Sequence, residues 1–167
     1  MWKKQLERFL GWTSSLCFVG LVLVVLLQVF ARTSLWPYAP PHWTEEASRF
    51  LMLYMVAFSA GLAAKERAYV NVDVFVNLLS GRSRAFMQLL IDILVIVLMG
   101  ATAWYGWQSA AVGRIQTSAS LGIPMHLIYG SMVLHAGSAL LYTVALVFED
   151  FKALVTGEVN YGNTAVS

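Results

Sequence analysis

Residues 16–30 read LCFVGLVLVVLLQVF, from Leu16 to Phe30, and no acid or base interrupts the chain between Arg8 and Arg32. A helix needs about 20 predominantly apolar residues to cross the hydrocarbon core of a bilayer, and this run supplies them. Lys3, Lys4 and Arg8 also resemble the basic start of a cleaved signal peptide. The apolar region is too long for one, however, and no small-x-small cleavage site precedes Arg32. An uncleaved membrane helix over about residues 9–31 is the expectation.

Working outward, charge-free stretches mark further spans. Phe50 to Ala64 is short alone and reaches spanning length by including Glu46 to Arg49 at headgroup level, giving residues 46–64. Pro40 and Pro41 stop any helix before it. Thr44 is the expected N-cap, with Glu45 and Glu46 in the positive first turn. A third run lies between Arg84 and Arg114, spanning about 85–108 with Asp92 inside it. The fourth begins near Pro124, a favoured first-turn residue, and continues uncharged to Phe148, spanning about 124–148. The fold class is therefore an all-α membrane protein with four transmembrane helices in one domain, residues 1–150, followed by a cytoplasmic tail, 151–167.

The segment between the second and third spans is more than a loop. Val70, Val74 and Leu78 share one helical face, with Asp73 elsewhere, although Val70, Val72, Val74 and Val76 also alternate as a strand would. A lone strand at a membrane leaves its backbone groups unpaired, so a short amphipathic helix in the interface, about 68–80, is expected.

Composition agrees. Of 167 residues, 59% are hydrophobic and 12% charged, about half the charge of a soluble domain. The positive residues are scattered around apolar stretches, so the net charge of +2 gives no reason to expect nucleic acid as a partner. Cys17, the single cysteine, cannot form an internal disulfide and reads as a packing residue. Basic residues are retained on the cytoplasmic side. With the N-terminus inside, eight positives (Lys3, Lys4, Arg8, Lys65, Arg67, Arg82, Arg84, Lys152) lie in the cytoplasm against Arg32, Arg49 and Arg114 outside. Both termini are thus expected in the cytoplasm. Trp36, Trp43, Trp104 and Trp107 fit an aromatic belt at the outer interface.

A few polar residues need a reason. Arg49 follows Glu45 and Glu46 at spacings that put both carboxylates beside its guanidinium. The group either neutralises Arg49 where the helix enters lipid or lets it reach a neighbouring subunit. Asp92 lies roughly 12 Å along a helix from Arg84, and an intramembrane carboxylate costs on the order of 3 kcal/mol. It should face protein or water, alongside Met99, Ala103, Gly106 and Ala110, a mostly small face suited to close helix packing. Structural pairing suits Asp92 better than ion transport, because one carboxylate makes a poor relay. Ala57, Ala60, Gly61, Ala64, Gly130 and Gly137 permit close approach of either an internal helix or a second protein. His126 and His135 fall on opposite faces of one helix, so they cannot share a metal or haem, and His42 sits in the outer loop. No catalytic or metal-binding constellation emerges, and no cofactor is expected.

Taken in order, four local patterns resemble the small membrane subunit of tripartite ATP-independent periplasmic (TRAP) transporters. They are Val29-Phe30-Ala31-Arg32, then Trp43-Thr44-Glu45-Glu46-Ala47-Ser48-Arg49. Gly61 through Lys65-Glu66-Arg67 into Val70-Asn71-Val72-Asp73 follows, and then Ser118 to Tyr129 with Leu121-Gly122-Ile123-Pro124. The likeness covers roughly residues 5–150. Tyr69 and His126 depart from it, standing where histidine and tryptophan are frequent in the family.

The resemblance implies a subunit of the bacterial inner membrane. It would scaffold a large multi-helix subunit that holds the substrate and sodium sites, and help dock a periplasmic substrate-binding protein. Substrates would be organic acids such as C4-dicarboxylates, keto acids or sialic acids. On this reading Glu45, Glu46, Arg49, Asp92, Ala103 and Gly106 are candidates for the subunit interface, and Arg32, His42 and Arg114 for docking. Membrane lipid would surround the chain, with room for a phospholipid at the subunit interface. Two other classes compete: a self-sufficient homodimeric transporter, which would want an acid and aromatics around a central cavity, and a membrane anchor of a redox complex.

Overall fold

The computed structural model describes residues 2–32, 41–66 and 82–156. Its helices are α1 (Trp2–Ala31), α2 (Trp43–Lys65), α3 (Arg82–Val112) and α4 (Met125–Thr156), with a 3-10 turn at Gly113–Ile115 after α3. Each of the four helices is long and apolar enough to cross a membrane. All extend beyond the expected spans, most clearly α4, which takes in the start of the expected tail. Residues 151–156, which contain neither glycine nor proline, continue the helix. The rest of that tail and the expected interfacial helix, with Val70, Asp73, Val74 and Leu78, lie outside the described residues.

The start of α2 differs from expectation. The N-cap is His42, without a side-chain cap bond. Thr44, only 1% exposed, instead turns its hydroxyl back to donate to the Pro41 carbonyl at 2.8 Å. The helix starts two residues earlier than a Thr44 cap would give, at Trp43.

The helices are laid side by side in the order α1–α2–α4–α3. The antiparallel α1–α2 pair is tied at both ends, by Glu7–Lys65 at 2.9 Å and Arg32–Glu45 at 3.0 Å. Between the ties, the Ser14 hydroxyl donates to the Met55 carbonyl at 3.2 Å. The face of α2 toward α4 is small: Ala57, Ala60, Gly61 and Ala64 are all buried. Ser138 on α4 donates to the Ala57 carbonyl at 3.1 Å, and Tyr54 donates to the Leu127 carbonyl at 2.6 Å. α3 packs on the far side of α4 through Gly106, and Gly113 of the 3-10 turn lies against Tyr129 and His126 of α4.

Burial is inverted relative to a water-soluble protein. Among the described residues, six of the seven buried apolar residues are alanines, with Leu10 the exception, while Phe, Trp, Leu, Ile and Val side chains are exposed along α1, α3 and α4. Lipid tails are as apolar as leucine, so association in a membrane depends on dispersion contacts at close range and on polar bonds between helices.

The glycines test this directly. A Cβ on Gly113 would sit 2.6 Å from the Tyr129 ring and 2.9 Å from the His126 backbone nitrogen, whereas one on Gly137 would meet nothing within 4 Å. Gly113→Ala is expected to lower stability in detergent by about 1–3 kcal/mol through overpacking. Gly137→Ala should be neutral or slightly stabilising, since alanine is the better helix former. Thermal melts of the two purified variants check the contrast, and equal melting temperatures would refute it.

Candidate functional site

The polar chemistry concentrates at one end of the layer, where α1 and α3 finish and α2 and α4 begin. Between the 3-10 turn and α4 the chain folds into a small hairpin. Thr117 and Pro124 form an antiparallel bridge. The Ser118 amide donates to the Ile123 carbonyl and the Met125 amide to the Gln116 carbonyl, both at 2.9 Å. The Ile123 amide reaches the Ser118 hydroxyl at 3.3 Å. Gly122 closes the turn at φ 64°, a left-handed conformation that side-chain-bearing residues resist.

Glu46 holds this hairpin to α2. One carboxylate oxygen accepts the Ser120 amide at 3.0 Å and the other accepts the Leu121 amide at 2.9 Å. Neighbouring Glu45 turns the other way, to Arg32 and, at the limit of hydrogen bonding, to Gln28 at 3.5 Å. Consecutive residues on a helix point about 100° apart, so the acid pair serves two different neighbours, the hairpin and α1. This differs from the expected Glu45–Glu46–Arg49 cluster. Arg49 is exposed and makes no ion pair among the described residues. Arg32, His42 and Arg114, singled out for docking, are all exposed at this same end.

The α3 candidates face inward. Asp92 is 5% exposed, as the cost of an intramembrane carboxylate requires. Gly106, on the same helical side, lies against Met132 and Val133 of α4, and Ala103 is half-buried between them in register. Gly106 therefore belongs to the α3–α4 contact within the chain. Asp92 is far along the helix from the glutamates, so the structure does not gather the candidate polar residues into one site.

Several polar features escaped the sequence reading. Asp150, 3% exposed, lies just past the uncharged stretch that ends at Phe148. Its position beyond the expected span gave no hint of burial. The Glu7–Lys65 tie joins residues that are separated by the whole α1–α2 hairpin. An open groove of about 850 Å³ runs along α4 past Gly130, Leu134, Gly137 and Leu141, bordered by Leu6 and Leu10 of α1. Among the described residues no three His, Cys, Asp or Glu side chains converge as a metal site would need.

Residues 21–153 match the family model for the DctQ component of tripartite ATP-independent periplasmic transporters. A Haemophilus influenzae protein provisionally named as a TRAP transporter small permease is 25% identical over 153 residues, covering 89% of each chain. The sialic acid TRAP transporter small permease protein SiaQ of Vibrio cholerae is 32% identical over 84 residues, about half of either chain (50% and 49%). The sialic acid TRAP transporter permease protein SiaT of Haemophilus influenzae is 22% identical over 94 residues, 56% of this chain but 15% of that one.

The clamp has a direct readout. Glu46→Ala should speed hydrogen exchange at the Ser120 and Leu121 amides, because each loses its acceptor. Glu45→Ala should leave both rates unchanged. Exchange followed by mass spectrometry on peptides covering residues 113–124 distinguishes the two, and slow exchange in both variants would show that Glu46 does not hold the hairpin.

Proposed function

The chain belongs to the DctQ family of tripartite ATP-independent periplasmic transporters, and from that premise we propose that it is a non-catalytic scaffold. In this role it seats the large, solute-moving subunit in the bilayer and helps to dock the soluble binding protein. The observation that carries the reading is the placement of side chains in the layer. Among the described residues its buried side chains are mostly those of alanine, serine and threonine, joined by Leu10, Asp92 and Asp150, while many large apolar residues face outward along α1, α3 and α4. Among the described residues, helices packed this closely at α2–α4 favour a structural part over a solute path. What the layer offers is surface.

Two features of that surface suit a large membrane partner. The groove along α4 passes Gly130 and Gly137, whose missing side chains face open space and leave room for an incoming helix or lipid chain. Arg49 stands exposed near one end of α2, where a guanidinium with five donors can bond a carboxylate or carbonyls on a neighbour. The SiaT match, a small part of a much longer chain, supports a large permease as that neighbour. Solute and sodium are then handled by the partner. The solute class is organic acid, with sialic acid favoured over C4-dicarboxylates and keto acids by the names of the relatives.

Retention of basic residues in the cytoplasm orients the layer. Lys4, Arg8, Lys65 and Lys152 lie at the end opposite the hairpin, so both termini face the cytoplasm and the hairpin faces the periplasm of a bacterial inner membrane.

Orientation is checked with single cysteines in a Cys17→Ser background. A membrane-impermeant maleimide added to intact spheroplasts should label Ser120→Cys and spare Lys152→Cys; the reverse pattern overturns the assignment. For function, the chain should copurify with the large permease. Proteoliposomes should take up a labelled acid from a panel of sialic acid, C4-dicarboxylates and keto acids only when both membrane subunits and the binding protein are present. Uptake by this chain alone would replace the scaffold with a self-sufficient transporter. Arg49→Ala should reduce copurification several-fold without changing which acid is carried. A changed preference with intact copurification would contradict the scaffold role.

A further inference from the structure

We infer that the 116–124 hairpin is the element of this chain that the soluble binding protein meets, and that Glu46 is a positioning residue that holds it in the shape to be met. The inference rests on the scaffold reading and adds to it a specific contact surface and the device that builds it.

The hairpin is over-determined for a connection between two helices. Short loops between antiparallel helices commonly need only a few residues and no internal ladder. Here two backbone bonds cross the hairpin, Ser118 caps it from inside, Gly122 takes the left-handed turn, and both oxygens of one carboxylate pin Ser120 and Leu121. Charge-assisted bonds to backbone amides are among the stronger hydrogen bonds available to a surface loop. A loop fixed this firmly loses little entropy when it binds, which is how preorganisation raises affinity.

Its surface fits a soluble partner better than lipid or a permanently docked subunit. Gln116, Thr117, Ala119, Ser120 and Gly122 are exposed, neutral and small or polar, and the apolar Leu121 and Ile123 among them are half-buried, so the most exposed part of the tip is small and polar. At its base Ile115 is 89% exposed, with the exposed guanidinium of Arg114 beside it. An apolar anchor beside a polar tip and a charged group, with Val112 exposed on the preceding turn, suits a small, reversible protein interface. The complementary surface is therefore an apolar pocket for Ile115 flanked by carboxylates for Arg114, carried on a water-soluble protein that must bind and leave in each transport cycle.

The test uses the complete system in proteoliposomes, with uptake of whichever acid in the panel is carried measured against binding-protein concentration. Ile115→Ser and Glu46→Ala are each expected to raise the half-saturating concentration of binding protein about tenfold, as loss of a hot-spot contact does. Copurification of the membrane subunits and the uptake rate at saturation should stay near wild type. Glu46→Gln, which keeps one acceptor oxygen, should fall between. Wild-type half-saturation in both Ile115→Ser and Glu46→Ala, with the Ser120 and Leu121 amides exchanging freely in Glu46→Ala, overturns the inference. Loss of copurification also overturns it, by placing the hairpin against the large subunit. Failure of the scaffold reading looks different: uptake with the wild-type large subunit and binding protein would then proceed without this chain.

Discussion

Close approach of helix backbones in a solvent as apolar as the side chains themselves governs this structure. Burial of leucine against leucine gains little when the alternative is a lipid tail. The α2–α4 contact is accordingly made of Ala57, Ala60, Gly61 and Ala64 against Ser138 and Tyr142, with Ser138 bonding a backbone carbonyl across the gap. The α3–α4 contact depends on Gly106, and the contact of the 3-10 turn with α4 on Gly113, in the same way. α1 meets α2 with Gly11 and Gly20 against Leu62 and Leu51, and ion pairs join the two helices at their ends, Glu7 to Lys65 and Arg32 to Glu45. Each contact is narrow, so the helices form a layer instead of enclosing a core.

Much of this was legible in the residues. Charge-free runs fixed four spans, because ionised groups are the costliest thing to place in hydrocarbon. The same cost fixed the inward turn of Asp92. Small residues at helical spacing marked the packing faces of α2 and α3. The sequence could not say whether those faces met a helix of this chain or of another, since alanine and glycine are indifferent to the identity of their neighbour. The structure assigns the α2 stripe and Gly106 to internal contacts, and leaves Gly130 and Gly137 open.

The acid pair shows where local rules stop. Spacing of three and four on a helix pointed Glu45 and Glu46 toward Arg49. That rule describes isolated helices, in which the only donors within reach are on the same helix. In the folded chain Glu46 instead meets backbone amides 74 and 75 residues away, and Glu45 meets Arg32 from the preceding helix. Tertiary donors outcompeted a surface pair whose contribution is a few tenths of a kcal/mol. The order α1–α2–α4–α3 was hidden for a related reason: every span is apolar enough to neighbour any other.

The distribution of charge after folding then separates internal from external roles. At the hairpin end both acids of α2 are engaged within the chain, one holding the hairpin and one holding α1. The exposed arginines divide by that same criterion: Arg32 is taken by Glu45, whereas Arg49 and Arg114 have no ion-pair partner among the described residues. A guanidinium keeps its charge at any physiological pH and satisfies itself in water at little cost, but Arg49 stands on a helix whose neighbouring exposed residues are Met52, Leu53 and Val56. Such a position favours a bonding partner over a hydrocarbon boundary. The negative charge that would have neutralised these arginines has been assigned to the fold, so the hairpin end presents a net positive face. Acidic or carbonyl-rich surfaces are what such a face selects.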